Sequence, residues 1–236
     1  DLITEKSNIK RSSNRTIAIS ENNFEFLNNL NISKSLKKEM WACNKMKLYS
    51  DENNKKFSKI FELNNNKEKK IMYMAENSKI MKLMLKKIKK TKSICIKYHK
   101  KISKVYNLKF LKGIKLGNNK FKYNLIIICT GGNSKLVKNI FNEKIIHNSY
   151  KEISITTILK HHLFKNDISR QIFFNDGILA LLPISNSKTS IVWTIKKNIE
   201  NISDNYIKKK IKIYTKDFLK NIYFKNKKDK KDLNFI

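Results

Sequence analysis

Most of the apolar residues in this chain fall in short stretches where they alternate with polar ones. Alternation marks a strand with one buried face, because successive side chains point to opposite sides. Residues 1–5, 45–49, 58–63, 70–74, 93–98, 102–106, 110–116, 153–159, 171–174 and 190–194 read as strands on this ground, and the short apolar run 178–182 as one more. Gly117-Asn118-Asn119, Asp176-Gly177 and Asn186-Ser187 are turn signals between neighbouring runs. Residues 44–64 and 150–195 are expected to join in one antiparallel sheet. Helical spacing appears in fewer places. Arg15–Ser20 leads into a helix that Ser20 caps, with Phe24, Leu27 and Leu30 on one face. A short helix is expected near 33–40. A long one starts at Glu76-Asn77-Ser78 and carries Ile80, Met81, Leu83, Met84, Leu85 and Ile88. A last one spans 207–222.

Another stretch breaks the alternation and organises the rest. Lys122–Cys129 is a continuous apolar run rich in Ile, followed by Thr130-Gly131-Gly132-Asn133-Ser134. Such a run reads as a strand buried on both faces, as in a parallel sheet. Gly131 and Gly132 allow a tight turn and close approach of a ligand. Asn133 or Ser134 caps a helix bearing Leu136, Val137, Ile140 and Phe141. Strand, glycine turn and capped helix together present backbone N–H groups to a nucleotide. An ordinary strand-to-helix turn without a ligand would use the same residues.

Charge changes the picture less than its size suggests. The 236 residues carry a formal net charge of +33. A basic non-catalytic protein that binds nucleic acid or anionic membrane is therefore an alternative reading. Only Arg11, Arg15 and Arg170 are arginine among 52 basic residues. Arginine is the residue suited to bidentate phosphate and guanine contacts, so its scarcity counts against specific nucleic-acid recognition. Lysine instead travels with Asn and Ile along the whole chain, the composition that an AT-rich genome imposes. Cys43, Cys95 and Cys129 are odd in number and lack metal-ligand spacing, which suits a reducing, cytoplasmic compartment. His161 and His162 are adjacent and would point to opposite faces of a strand, so no metal site is expected there. No apolar run reaches the ~18 residues of a membrane-spanning helix. There is no acid/base constellation, and no catalytic side chain is assigned.

Four segments, in order, resemble the flavin-dependent hydroxylases of ubiquinone biosynthesis, of the UbiH/VisC type. They are Ser13-Asn14-Arg15-Thr16-Ile17-Ala18-Ile19-Ser20; Tyr73-Met74-Ala75-Glu76-Asn77; Ile128-Cys129-Thr130-Gly131-Gly132-Asn133-Ser134; and Leu179-Ala180-Leu181-Leu182-Pro183 with Ser190-Ile191-Val192-Trp193. The chain departs from the family pattern at Ser13 and Thr130, where the family has aspartate, and at Lys138, near the family's arginine. The family's Gly-x-Gly-x-x-Gly and Gly-Asp-Ala motifs have no counterpart in these residues. On this resemblance the chain is expected to be an internal fragment lacking both ends, binding FAD poorly by itself.

The resemblance implies an α/β fold in which a Rossmann-like FAD-binding half interleaves with an antiparallel substrate-domain sheet. Residues 1–43, 71–141 and 201–236 would form the partial FAD-binding domain, and 44–70 with 142–200 the substrate domain. Glu5 would contact the adenosine ribose, Arg15 would lie close to the flavin, and Thr130, Gly131 and Gly132 would be further FAD-binding residues. The implied reaction hydroxylates a polyprenylphenol with O2 and an external electron donor, the chemistry belonging to FAD. A substrate with a polyprenyl tail further implies peripheral contact with an anionic membrane, on the inner membrane. Another flavoprotein oxidoreductase of the same fold is the remaining alternative.

Overall fold

A computed structural model describes residues 1–4, 15–52, 56–64, 69–98, 102, 104–130, 135–141, 152–175, 177–196, 203–224 and 234–235. The first elements are β1 (Leu2–Thr4), β2 (Thr16–Ser20), α1 (Glu21–Asn29), α2 (Ser33–Lys37), β3 (Met40–Cys43), β4 (Lys45–Glu52) and β5 (Lys56–Asn64). Next come β6 (Met72–Glu76), α3 (Asn77–Lys90), β7 (Ile96–Tyr98), β8 (Lys104–Asn107), β9 (Lys112–Leu116), β10 (Asn119–Tyr123) and α4 (Lys135–Phe141). The last are β11 (Ile153–Lys160), β12 (Ile168–Phe174), β13 (Gly177–Ser185), β14 (Lys188–Ile195), α5 (Asp204–Thr215), β15 (Tyr223–Phe224) and β16 (Asn234–Phe235).

The contacts divide the chain into two compact units, residues 1–11 with 88–150, and residues 12–87 with 151–236. The larger unit is built on an eight-stranded sheet in the order β15-β11-β14-β13-β12-β4-β5, with β16 also beside β11. Alternate residues of its strands face one core: Ile155 and Leu159, Ile172, Leu179 and Leu181, and Ile191, Trp193 and Ile195. Helix α5 covers that face with Ile207 and Ile211, both fully buried. Burying each such side chain stabilises the fold by about 1.5–3 kcal/mol relative to leaving it exposed. Aromatic rings close the end of this layer, with Phe174 4.3 Å from Tyr214 and Tyr49 5.1 Å from Phe218.

The tight β13–β14 pairing depends on Gly177. A Cβ there would lie 2.0 Å from the carbonyl oxygen of Thr194 on the facing strand. A second, three-stranded antiparallel sheet, β2-β6-β3, belongs to the same unit. Leu27 of α1 and Leu36 of α2 pack with Ile19, Ala75 and Ile80. Ser20 caps α1 as expected, its hydroxyl accepting from the N–H of Asn23.

The smaller unit holds a parallel pair, β1 with β7, and an antiparallel meander, β10-β9-β8. Gly117 takes φ +60° in the two-residue turn that reverses β9 into β10. Asp1 ties this unit together, accepting from the Tyr123 hydroxyl and pairing with Lys97 at 2.7 Å.

Several expectations are corrected. The sheet joining 44–64 to 150–195 forms, but it is mixed, because β4 runs parallel to β12 from Ile168↔Lys45 to Phe173↔Ser50. No hairpin links these two strands, so the long connection leaves their relative direction free. The run Lys122–Cys129 is a strand only as far as Tyr123. Strand β10 ends at Tyr123, and Leu125 and Ile127 are 72% and 78% exposed. A strand buried on both faces needs neighbours on its edges, and among the described residues nothing pairs with 125–129. Arg15–Ser20 contributes a strand, β2, before the helix. The last helix stops at Thr215 rather than 222, where the Thr215 hydroxyl turns back onto the Ile211 carbonyl. The chain then bends through Asn221, at φ +51°, into β15. Strand β13 also lies against β3 and β6, and α5 covers the large sheet.

Candidate functional site

Three of the four diagnostic segments meet in the larger unit. Arg15 precedes β2, and its carbonyl accepts from the N–H of Asn77, the first residue of α3, at 2.9 Å. The β2–β6 ladder sets Thr16 opposite Glu76 and Ile19 opposite Tyr73. The Arg15 segment and the Tyr73–Asn77 segment are thus side by side. The fourth segment forms the β13–β14 hairpin, with Leu179 opposite Trp193 and Leu181 opposite Ile191. Strand β13 lies against β6, which completes the cluster. The third segment falls in the smaller unit. Thr130 is exposed at the end of the Ile-rich run. Glu5, Gly131, Gly132, Asn133 and Ser134 lie outside the described residues.

Unpartnered buried hydroxyls mark two parts of the larger unit. Among the described residues, the Thr16 hydroxyl, next to Arg15, is buried without a hydrogen-bond partner. Such a group costs free energy until something satisfies it. On the large sheet, register places Ser154, Thr156, Ser190 and Thr194 on the face opposite the α5 core. Ser154 and Thr194 bond each other at 2.9 Å, whereas the Thr156 and Ser190 hydroxyls are buried with no partner among the described residues. A row of small hydroxyls amid Val192, Ala180 and Leu182 gives that face a few polar points on an apolar ground. Alternation alone placed Ser190, Val192 and Thr194 together; the matching row on β11 needed the register.

A second polar network fixes the strand junctions. Glu21 accepts from the Lys70 N–H at 3.1 Å and from the Tyr73 hydroxyl at 3.5 Å. Burial, then the nearby Glu21 carboxylate, pushes the Tyr73 phenol up. Lys70 Nζ donates to Asn44, whose side-chain amide donates to Asp167 at 2.7 Å. Trp41 Nε1 donates to the Asn166 carbonyl at 2.6 Å. The buried Asn166 amide donates to Ser185, Lys188 and Thr189. His161 Nδ1 sits 2.9 Å from the His162 carbonyl, which only accepts, so Nδ1 carries the proton and Nε2 takes the Thr189 hydroxyl. His161 is thereby committed to the fold, while His162 is exposed.

The described side chains offer no activated nucleophile. The Cys43 thiol is pushed up to about 12, first by burial and then by Asp167, which keeps it protonated and inert. Lys79 bridges Glu39 at 2.8 Å and Glu76 at 3.8 Å, and the Glu39 bond raises it further. The larger unit thus carries hydrogen-bonding points at Thr16 and, on an apolar ground, on the β11–β14 face.

No protein-family model matches the chain, and no curated protein sequence does. Solved structures do. PqsL, a probable FAD-dependent monooxygenase from Pseudomonas aeruginosa, aligns over 82% of this chain and 53% of its own, at 10% identity and TM-score 0.68. HpxO from Klebsiella pneumoniae, solved with FAD, aligns over 86% and 54% at 9% identity and TM-score 0.65. CtdE, solved with FAD and a substrate, aligns over 91% and 57% at 11% identity and TM-score 0.70. The chain spans about half the length of these structures. Over that length it has the fold of the flavoprotein aromatic hydroxylases.

Proposed function

We propose that this chain is part of an FAD-dependent monooxygenase that hydroxylates a polyprenylated phenol ring in ubiquinone biosynthesis. The observation that supports it most is the meeting of Arg15, Tyr73–Asn77 and the β13–β14 hairpin in one unit. Segments far apart in sequence, read as one family's pattern, are neighbours in space.

FAD, when bound, supplies the activation of O2 and the oxygen transfer, with electrons from an external donor. The chain's residues bind and orient. Arg15 offers a planar fork of donors to the flavin edge, and the unpartnered Thr16 hydroxyl adds one more hydrogen-bonding group beside it. Glu5 would take the ribose hydroxyls, and Thr130, Gly131 and Gly132 would be further FAD-binding residues. The hydroxyl-bearing face of β11 and β14 meets the phenol, and its apolar remainder keeps water out. Functionally, residues 1–43, 71–141 and 201–236 serve FAD, while 44–70 and 142–200 serve the substrate. The polyprenyl tail brings the protein to an anionic membrane by peripheral contact; among the described residues no helix is long and apolar enough to cross one.

The test supplies the complete protein with FAD, a reductant, isotopically labelled O2 and a prenylated phenol. Labelled oxygen in the ring is the expected result. Flavin reduction and reoxidation with no label in any product would assign a different flavoprotein oxidoreductase instead.

A further inference from the structure

We propose that the recess beyond the C-terminal end of α5 is the face with which the protein docks on an anionic bilayer. The inference deepens the membrane contact proposed above and rests on that contact alone, not on the flavin chemistry. The recess has a volume of about 620 Å³ and is lined by His162, Lys212, Lys216, Leu219, Lys220 and Ile222, with Asn221 at its turn. The three lysines are exposed, and Leu219 and Ile222 form an apolar floor.

Two features meet at this recess. The first is charge: from Asn205 to Phe224 the chain has six lysines and a single acid, Asp217. The second is exposed apolar surface next to the lining residues. Leu163, which follows His162, is 68% exposed, and Tyr223, which follows Ile222, is 64% exposed. They share one edge of the large sheet, because His162 donates to the Lys220 carbonyl at 3.0 Å and Tyr223 pairs with Lys160 of β11. Lysines alone give reversible attraction to anionic headgroups, and an isolated aliphatic or aromatic side chain gives little. Together they supply the two signals that hold a protein at a bilayer: charge for the headgroups, and a leucine and a tyrosine for the interface.

Sedimentation of the full protein with phosphatidylcholine vesicles, and with vesicles half phosphatidylglycerol, at physiological salt tests the proposal. The protein should bind the anionic vesicles and not the neutral ones. K212E/K216E/K220E should weaken binding by about 100-fold, since each lysine at such a surface is worth roughly a factor of five. K82E/K86E/K90E, with the same spacing and charge change on α3, should keep most of the binding. L163S, which leaves the charge alone, should lower it measurably. Equal losses in the two triple variants, or L163S indistinguishable from wild type, would overturn this docking face while leaving membrane contact standing. Absence of wild-type binding would overturn both.

Discussion

The β13–β14 hairpin and the Ile-rich run at 125–129 are comparably apolar in sequence and opposite in structure. In the hairpin Leu179, Leu181, Ile191 and Trp193 are buried, because each strand has a partner on both edges and α5 on one face. In the run, Leu125 and Ile127 stand exposed and no described strand pairs with it. Hydrophobic residues state a demand for burial, and only neighbouring elements meet it. The run Ile178–Leu182 of β13 is as continuous as 125–129, and β12, β14 and α5 cover it. A continuous run asks for two faces and two edges at once.

Paired substitutions break or sharpen this contrast. Trp193→Ala should cost about 3–5 kcal/mol in denaturant unfolding, by emptying the space beneath α5. Ile127→Ala should cost under about 0.5 kcal/mol in this chain. Equal losses would mean that the run is buried after all. Gly177→Ala comes next, at about 1–3 kcal/mol, because the new methyl meets the Thr194 carbonyl and the strands must part. Ser20→Ala should cost about 1 kcal/mol through the lost cap of α1. Chemical modification gives the smallest signal. Cys95 and Cys129 are exposed and should react quickly with a thiol reagent at neutral pH, while Cys43 should react only on unfolding.

The same thiol makes a pH prediction. Its folded value lies near 12 against the ordinary 9.0, so the folded state holds that proton more tightly. The contribution is fully present below pH 9.0 and is lost as pH rises toward 12. Unfolding free energy should therefore fall across that alkaline window more steeply in the wild type than in Cys43→Ala. Identical slopes would show that Cys43 is not shielded.

Much of the fold was legible because local chemistry wrote it. Ser20 before Glu21 announced the cap, Gly117-Asn118 announced the turn, and period-two or short apolar runs marked six of the eight strands of the large sheet, all but β15 and β16. What stayed hidden depends on partners distant in sequence. Nothing local says that β4 runs parallel to β12, since direction follows from a connection of more than a hundred residues rather than from a hairpin. Nothing local says that α5 ends at Thr215, where a hydroxyl turns back on the helix and Asn221 redirects the chain. Of the site, Arg15 stood out as one of three arginines. Its proximity to Glu76-Asn77 appears only once β2 pairs with β6. The unpartnered hydroxyls of Thr16, Thr156 and Ser190 have no sequence signal, because being unpartnered is a property of the surroundings.

The central claim is that Arg15 stands at a flavin. It is tested most directly by the FAD dissociation constant of the complete protein, compared between wild type and Arg15→Lys. Lysine keeps the charge and loses the planar fork. Losing one charge-assisted hydrogen bond should weaken FAD binding by about tenfold. An unchanged constant, with unchanged turnover, would reduce Arg15 to a surface residue and contradict the account.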